Sequence, residues 1–309
     1  MNSAAPNPVP STIADYLSLL QGELRGADPA LVQDALYDAE EYLRSELGEN
    51  PDEGEAAMLA RVATSYGAPD EVADIYRTTE VQVSNALRSP PPPPRRSALG
   101  RFFGVAIDVR AWTAIFYMLL SLATGIVYFT VVVTGLSLSA GMAVLIIGIP
   151  VAVLFVGLVR ALALVEGRLV EVMLGERMPR RPLYAERGKP WLTRIGMMFT
   201  DPRTWSTMLY QVLMLPLGIA YFTAVVTLMS TSLGFAVGGF ALLLDRLGVP
   251  LVDVDWYIGG IPGLWEIPAS ILVCALGVLG VFLTLHLARG VGVVHAGIAK
   301  HLLVKSASR

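Results

Sequence analysis

The stretch "DPRTWSTMLYQVLMLPLGIAYFTAVVT" (201–227) has a counterpart earlier in the chain, "DVRAWTAIFYMLLSLATGIVYFTVVVT" (108–134). At a shift of 93 residues, 14 of the 27 aligned positions are identical. The identities include Asp, Arg, Trp, Gly and Tyr in register, which shared apolarity alone does not produce. We therefore predict that the chain contains two copies of one structural unit. The matched pairs include Asp108/Asp201, Arg110/Arg203, Trp112/Trp205, Tyr128/Tyr221 and Thr130/Thr223.

The second half of each copy is a weaker match. "VRALALVEGRLVEVML" (159–174) aligns with "ARGVGVVHAGIAKHLL" (288–303) at a shift of 129, which places Arg160 on Arg289. The larger shift implies a 36-residue insertion in the outer loop of the second copy. Each copy is then an interfacial segment, a span, an outer turn and a returning span. Because both copies begin and end on the same side, we predict a parallel repeat about an axis along the membrane normal.

The composition predicts an all-α membrane protein. Hydrophobic residues make up 54% of the chain, charged residues 16%, and the mean hydropathy is +0.58, as in chains with membrane spans. Uncharged runs cover 111–159 and 204–244, and 267–288 lacks Asp, Glu, Lys and Arg. Since a span needs about 20 apolar residues, we expect four spans in two hairpins. Their expected bounds are about 111–135, 141–165, 205–230 and 267–290, with outer connections at 134–141 and 231–266; residues 232–244 either extend the third span or lie in the outer interface.

The distribution of basic residues predicts the orientation. Lys and Arg are concentrated before the first span, between the second and third spans, and after the fourth. The two opposite loops carry one base, Arg246. Short loops rich in Lys and Arg stay in the cytoplasm, so we expect both termini there. The N-terminus lacks the basic start and apolar core of a signal peptide.

The first part of the chain is a separate acidic unit. Residues 1–90 carry 16 acids and 5 bases, net −11, whereas residues 91–309 carry 10 acids and 18 bases, net +8. We expect a disordered tail at 1–11, a cytosolic helical domain at 12–80, and a Pro-rich linker at 81–96. Its five consecutive prolines favour polyproline II, either as a spacer or as a ligand for a proline-binding domain. The acidic faces are either solvated or a site for a charged partner.

Two family resemblances follow from these segments. "YLSLLQGELRG" (16–26), the acidic helix after it, and "RVATSYGAPDEVADIYR" (61–77) resemble the HAAS domain, a helical module of bacterial membrane signalling proteins. The stretch at 201–227 resembles the four-helix "putative sensor" domain found ahead of actinobacterial histidine kinases. This second resemblance covers about 97–303. The expected parts are membrane repeat 1 at 97–175, a basic cytoplasmic loop at 176–189, and membrane repeat 2 at 190–305.

The D-x-R-x-W motif has a structural interpretation. Asp108 and Asp201 suit helix N-caps, and the helix dipole favours acids there. Arg110 and Arg203 would lie at the inner headgroups, and Trp112 and Trp205 in the aromatic belt. An Arg–Asp contact between the copies and an anionic-lipid site are the alternatives.

Two sets of residues are candidates for signal or ligand binding. The recurring Tyr128, Tyr221, Thr130 and Thr223 could line an intramembrane pocket between the copies. The outer loop forms the other set, either as an aromatic anchor in the membrane interface, as a cleft for an amphiphile, or as a divalent-cation site. Its candidate residues are Asp253, Asp255, Trp256, Tyr257, Trp265 and Glu266.

The sequence contains no phosphate loop, nucleophile elbow, zinc motif or kinase signature. We therefore expect no enzyme activity, no cofactor and no metal site. The resemblances imply a bacterial inner-membrane sensor that lacks its own kinase domain and relays a signal to a cytosolic protein, such as a PadR-like regulator. A homodimer is left open, and we expect no direct nucleic-acid binding. The alternatives are a small carrier or lipid-handling protein, and an accessory subunit of an export pump.

Overall fold

The computed structural model describes residues 10–87, 97–142, 148–180, 196, 200–249 and 265–304. All regular secondary structure in these ranges is helical. The N-terminal unit comprises α1 (Ile13–Glu23), α2 (Pro29–Glu49), α3 (Glu55–Val62) and α4 (Pro69–Leu87). The rest comprises α5 (Ala98–Phe103), α6 (Val109–Gly141), α7 (Gly148–Leu169), α8 (Pro202–Arg246) and α9 (Glu266–Leu303). A single 3₁₀ turn follows α5, and a π-helical turn (Val170–Leu174) extends α7.

The N-terminal unit folds around its own apolar core. The side chain of Thr12 caps α1 by accepting from the Asp15 amide at 3.1 Å, and Asp28 caps α2 by accepting from Ala30 at 2.9 Å. Such caps satisfy amides that have no partner within the helix. Helix α1 packs against α2 and α4. The core includes Tyr16, Leu20, Leu24, Ala35, Leu43, Met58 and Val72.

Four helices are long and apolar enough to cross a membrane: α6, α7 with its π turn, α8 and α9. The predicted fold class, an all-α protein with four spanning helices and a further helical part, is confirmed. Helix α8 occupies the centre, since it packs extensively against both α6 and α9. Helix α7 packs mainly against α6.

The two connections that we predict on the outer side begin later in the chain than expected. The expected turn at 134–141 is helical, because α6 continues to Gly141, and the expected loop at 231–266 begins inside α8, which continues to Arg246. Residues 232–244 therefore extend the third spanning helix. The glycines that favour a loop in the sequence pack against neighbouring helices instead. A Cβ atom on Gly135 would overlap the Phe155 ring, and one on Gly239 would overlap the backbone of Cys274.

The crossing of α6 and α8 is reciprocal. A Cβ atom on Gly125 would overlap the carbonyl group of Met214, and one on Gly218 would overlap the carbonyl group of Ser121. Gly125 and Gly218 are 93 residues apart, and so are Ser121 and Met214. Small residues at such crossings let two helix backbones approach closely. The two helices therefore meet through the same pair of positions on each side.

Candidate functional site

Glu166 of α7 is the centre of a buried polar cluster. Glu166 is 1% exposed. Oε1 accepts hydrogen bonds from the hydroxyls of Tyr117 at 2.5 Å and Tyr210 at 2.8 Å, and Oε2 accepts from Tyr128 at 2.9 Å. Among the residues that the structure describes, no Lys, Arg or His forms an ion pair with this carboxyl group. Three phenolic hydroxyls therefore replace water around it.

His295 of α9 lies on the other side of the same hydroxyls. Nε2 is 2.6 Å from the Tyr117 oxygen and 3.0 Å from the Tyr210 oxygen, and Nδ1 is 3.3 Å from the Tyr221 oxygen. The imidazole is completely buried. Two tyrosine hydroxyls thus stand between the carboxyl group and the imidazole. We call Tyr117, Tyr128, Glu166, Tyr210, Tyr221 and His295 the polar cluster.

Counting hydrogens in the polar cluster shows that it can hold one exchangeable proton. Each tyrosine hydroxyl carries one hydrogen. If Tyr117 and Tyr210 donate to the Glu166 carboxylate, Nε2 of His295 must carry a hydrogen and donate to them. Nδ1 of His295 then either accepts from Tyr221 or is protonated as well. The first arrangement buries one charge, the carboxylate, and the second buries two opposite charges; removal from water penalises each ionised group.

The polar cluster connects all four spanning helices, and its residues come from aligned positions of the two copies. Tyr117 aligns with Tyr210 and Tyr128 with Tyr221 at the shift of 93 residues. Glu166 aligns with His295 at the shift of 129 residues. The carboxyl group of one copy and the imidazole of the other therefore occupy matching positions, each bonded to the second tyrosine of its own copy. At this pair of aligned positions the first copy has an acid, Glu166, and the second has a base, His295.

The structure brings together only part of the predicted intramembrane pocket. Tyr128 and Tyr221 both belong to the polar cluster, but Thr130 and Thr223 are exposed on the outer faces of α6 and α8. Glu166 and His295 are not among the site residues that the sequence predicts. The signal that could identify them is their alignment with each other, since charged or polar residues inside spanning helices are costly and usually functional.

The D-x-R-x-W residues lie at the start of α6 and of α8 and contact other parts of the helical bundle there. Asp108 and Asp201 each cap a helix by accepting from the amide two residues later, at 3.0 Å in both cases. Each aspartate also pairs with an arginine from the other copy: Asp108 with Arg289 at 3.0 Å, and Asp201 with Arg160 at 3.3 Å. The caps and the cross-copy pairs use the same two carboxylates.

The remaining side chains of the motif differ between the copies. The guanidinium of Arg110 lies over Gly175, whose φ of +76° ends the π turn. Arg203 instead donates to the carbonyl of Leu303 at 2.5 Å. Trp112 and Trp205 are both about half exposed.

Most of the predicted outer-loop site lies outside the described residues. This applies to Asp253, Asp255, Trp256 and Tyr257. Trp265 is exposed immediately before α9. The carboxylate of Glu266 pairs with Arg246 at 3.1 Å, which ties the end of α8 to the start of α9.

The N-terminal unit contacts the other end of the spanning helices through charged groups. Arg177 pairs with Asp34 at 3.3 Å and also with Glu80, while the Arg180 amide donates to Asp34 at 2.8 Å. Lys300 pairs with Asp28 at 2.7 Å. Asp34 is buried in this contact. The expectation that the acidic faces are solvated is therefore wrong for Asp34. We call these pairs the docking contact; a cleft of about 350 Å³ lies beside it, lined by residues of both parts.

These features define a class of protein: a helical membrane protein whose spanning helices meet at a buried polar centre. The chain belongs to the family described as "Putative sensor", whose sequence profile matches residues 117–303, more than half of the chain. The matched segment contains all six residues of the polar cluster and none of the N-terminal helices. No curated protein and no solved structure matches the chain.

Proposed function

We propose that the protein is a bacterial inner-membrane sensor that relays a membrane or extracytoplasmic signal to a cytosolic partner through its N-terminal unit. One observation supports the relay most directly. The segment that carries Glu166 continues through the π-helical turn (170–174) to Arg177, which belongs to the docking contact. Glu166 of the polar cluster and Arg177 of the docking contact are therefore 11 residues apart along the chain, and the helical segment between them ends at Leu174. Membership of the sensor family supports a sensing role independently.

The relay works by a shift between two packing arrangements. A stimulus that alters the hydrogen bonds of Glu166 changes how α7 sits against α6, α8 and α9. Because Arg177 and Arg180 follow the end of this helical segment within a short non-helical stretch, its displacement loosens or strengthens the docking contact. A stimulus shifts such an equilibrium only by its differential affinity for the two states, so the bonds that change must lie in the polar cluster or in contacts coupled to it.

The proposed output is the acidic surface of the N-terminal unit. Undocking exposes Asp28, Asp34 and Glu80, which the chain's own bases otherwise neutralise. The unit resembles the HAAS module, and this resemblance implies a partner such as a PadR-like regulator. A net charge of −11 over residues 1–90 disfavours direct contact with nucleic-acid phosphates. The positive-inside rule supports the cytosolic placement of this unit and of both termini.

The test uses the full chain in membranes together with a co-expressed PadR-like regulator. Arg177→Glu reverses the charge that faces Asp34 and Glu80, so we expect faster amide hydrogen exchange in α2 and α4 and stronger capture of the regulator. Arg289→Glu is the matched control, because Arg289 pairs with Asp108 and not with the N-terminal unit. Capture that is absent for every variant, or equal for both variants, would overturn the relay to this partner.

A carrier is the second candidate, and one observation favours it. A carboxyl group and an imidazole connected through hydroxyls inside spanning helices are typical of proton relays in transporters. Reconstitution of the protein into liposomes with an internal pH dye tests this function. A proton flux that is lost in Glu166→Gln would favour the carrier, whereas an intact proton gradient with normal docking would favour the sensor.

A further inference from the structure

A small cavity lies at the joint between the N-terminal unit and the spanning helices. Its lining includes Gln33 of α2, Arg160 of α7, and Arg203, Thr204 and Thr207 of α8. Its volume of about 50 Å³ holds roughly three to five water molecules. That is the space that one phosphate group occupies. Apolar side chains of α7, of the segment after its π turn and of α9 form the remaining wall.

The cavity has an excess of positive charge. Two guanidinium groups, Arg160 and Arg203, line it, and no Asp or Glu is among its described lining residues. Nη2 of Arg160 is bonded to Asp201 at 3.3 Å and to the Thr204 hydroxyl at 3.0 Å. Asp201 is the carboxylate that lies beside Arg160 and Arg203. One negative charge faces two positive charges, so about one positive charge is left uncompensated in a partly closed space.

Arg203 has hydrogen-bonding capacity to spare. Nη2 donates to the Leu303 carbonyl, but Nη1 is buried and has no acceptor among the described residues. A buried donor without a partner is costly. An anion in the cavity would supply the missing negative charge.

The corresponding place in the first copy is not built in this way. Arg110 and Arg289 align with Arg203 and Arg160. The side chain of Arg289 is 54% exposed, against 22% for Arg160. Gln33 of the N-terminal unit and Met178 and Pro179 of the segment after the π turn enclose only the second pair. The enclosure is therefore specific to one copy.

We propose that this cavity binds a phosphate group, supplied either by a soluble phosphate or by a phospholipid headgroup. The guanidinium fork matches the geometry of phosphate oxygens, and Arg binds phosphate better than Lys where direction matters. The threonine hydroxyls supply further donors. The cavity lies at the end of the spanning helices, where headgroups come within reach.

Binding at this site favours the docked state. The anion contacts Gln33 on one side and two spanning helices on the other, and both walls exist only while the N-terminal unit is docked. A ligand that binds one state stabilises that state. The binding itself is independent of the proposed function, but its regulatory effect rests on the relay to the N-terminal unit.

The experiment uses the full-length protein in nanodiscs of phosphatidylcholine. One arm titrates inorganic phosphate, with chloride at matched ionic strength as the control. A second arm omits phosphate and replaces part of the lipid with phosphatidylglycerol. The measurement is hydrogen exchange in α2, together with the thermal unfolding midpoint. Protection by phosphate identifies a soluble ligand, protection by phosphatidylglycerol alone identifies a headgroup, and protection by neither overturns the proposal.

Arg203→Gln should weaken the protecting ligand roughly 10- to 100-fold, the loss expected for a hydrogen bond to a charged group. Arg110→Gln is the matched control from the first copy and should bind as the wild type does. Equal losses in both variants would show non-specific attraction and would overturn the site. Thr207→Val keeps the side-chain volume and should also weaken binding, which covers the case in which Arg203→Gln fails to fold. Normal binding without any change in regulator capture would leave the site intact and contradict the relay.

Discussion

Glu166 and His295 occupy matching positions in the two aligned copies and share the hydroxyls of Tyr117 and Tyr210. The carboxyl oxygen and the imidazole nitrogen each lie within 3.0 Å of both hydroxyl oxygens. Four helices thus meet through a single set of hydrogen bonds. Because the groups are buried, removing any one of them leaves its partners without an alternative in water.

Removing the carboxyl group should destabilise the bundle strongly. Glu166→Ala leaves three tyrosine hydroxyls without their acceptor, so we expect a loss of about 3–5 kcal/mol in the free energy of unfolding. Denaturant titration in micelles measures it. Glu266→Ala removes a surface carboxylate that pairs with Arg246, and it should cost at most about 1 kcal/mol. Similar losses in the two variants would contradict a central role for Glu166.

The two central tyrosines should act as a unit. Tyr117→Phe and Tyr210→Phe each remove one of the two hydroxyls that separate Glu166 from His295. In a double-mutant cycle we expect a coupling energy of about 0.5–3 kcal/mol, as for residues in one hydrogen-bond network. The measurement is the unfolding free energy of the wild type, both single variants and the double variant. Strict additivity would mean that the hydroxyls act independently.

The crossing of α6 and α8 should not tolerate a methyl group. Gly125→Ala and Gly218→Ala would force the helix backbones apart, and overpacking of this kind costs about 1–3 kcal/mol. Gly157→Ala is the matched control, because the space around Gly157 in α7 is open and Ala is the better helix former. Thermal unfolding should show a lower midpoint for the first two variants only. A midpoint lowered equally by Gly157→Ala would point to a general effect of the substitution.

The N-terminal unit should lose stability at alkaline pH. Burial, assisted by the charge of Asp38, raises the pKa of Tyr66 to about 12, and burial raises the pKa of Tyr76 as well. An unfolded tyrosine has a pKa of about 10. A raised folded pKa contributes stability that is present below pH 10 and is lost as the pH rises from about 10 towards 12.

Hydrogen exchange in α1 to α4, followed from pH 8 to pH 11 with correction for intrinsic rates, tests this. Tyr66→Phe should reduce the dependence on pH, because the variant has no phenol to ionise. Tyr37→Phe, in α2, is a control for the loss of a phenol elsewhere in the N-terminal unit. An unchanged pH profile in Tyr66→Phe would show that this phenol does not govern the transition.

The sequence predicts the fold class and the four spanning helices well, because uncharged runs and composition depend only on the local chain. It predicts the C-terminal ends of α6 and α8 poorly. Gly135 and Gly239 favour a loop by local rules, but packing against Phe155 and Cys274 makes small residues necessary within a helix. Neighbouring helices decide this, and a single segment does not contain that information.

The candidate site is predictable only in part for a related reason. The repeated Tyr128 and Tyr221 stand out by alignment, and both belong to the polar cluster. Thr130 and Thr223 repeat equally well but lie on the exposed face. Glu166 and His295 differ chemically, so a search for identities passes over them. The role of Glu166 and His295 depends on how four helices pack together, and the spacing of residues along the chain does not determine that packing.

The cross-copy pairs have a consequence for the order of synthesis. Arg160 pairs with Asp201 and donates to the Thr204 hydroxyl, and Asp108 pairs with Arg289. When the first hairpin leaves the ribosome, the residues that neutralise these groups have not yet been made. Glu166 likewise has two of its three donors until Tyr210 emerges. The first hairpin therefore reaches its final packing only after the last helix has been made.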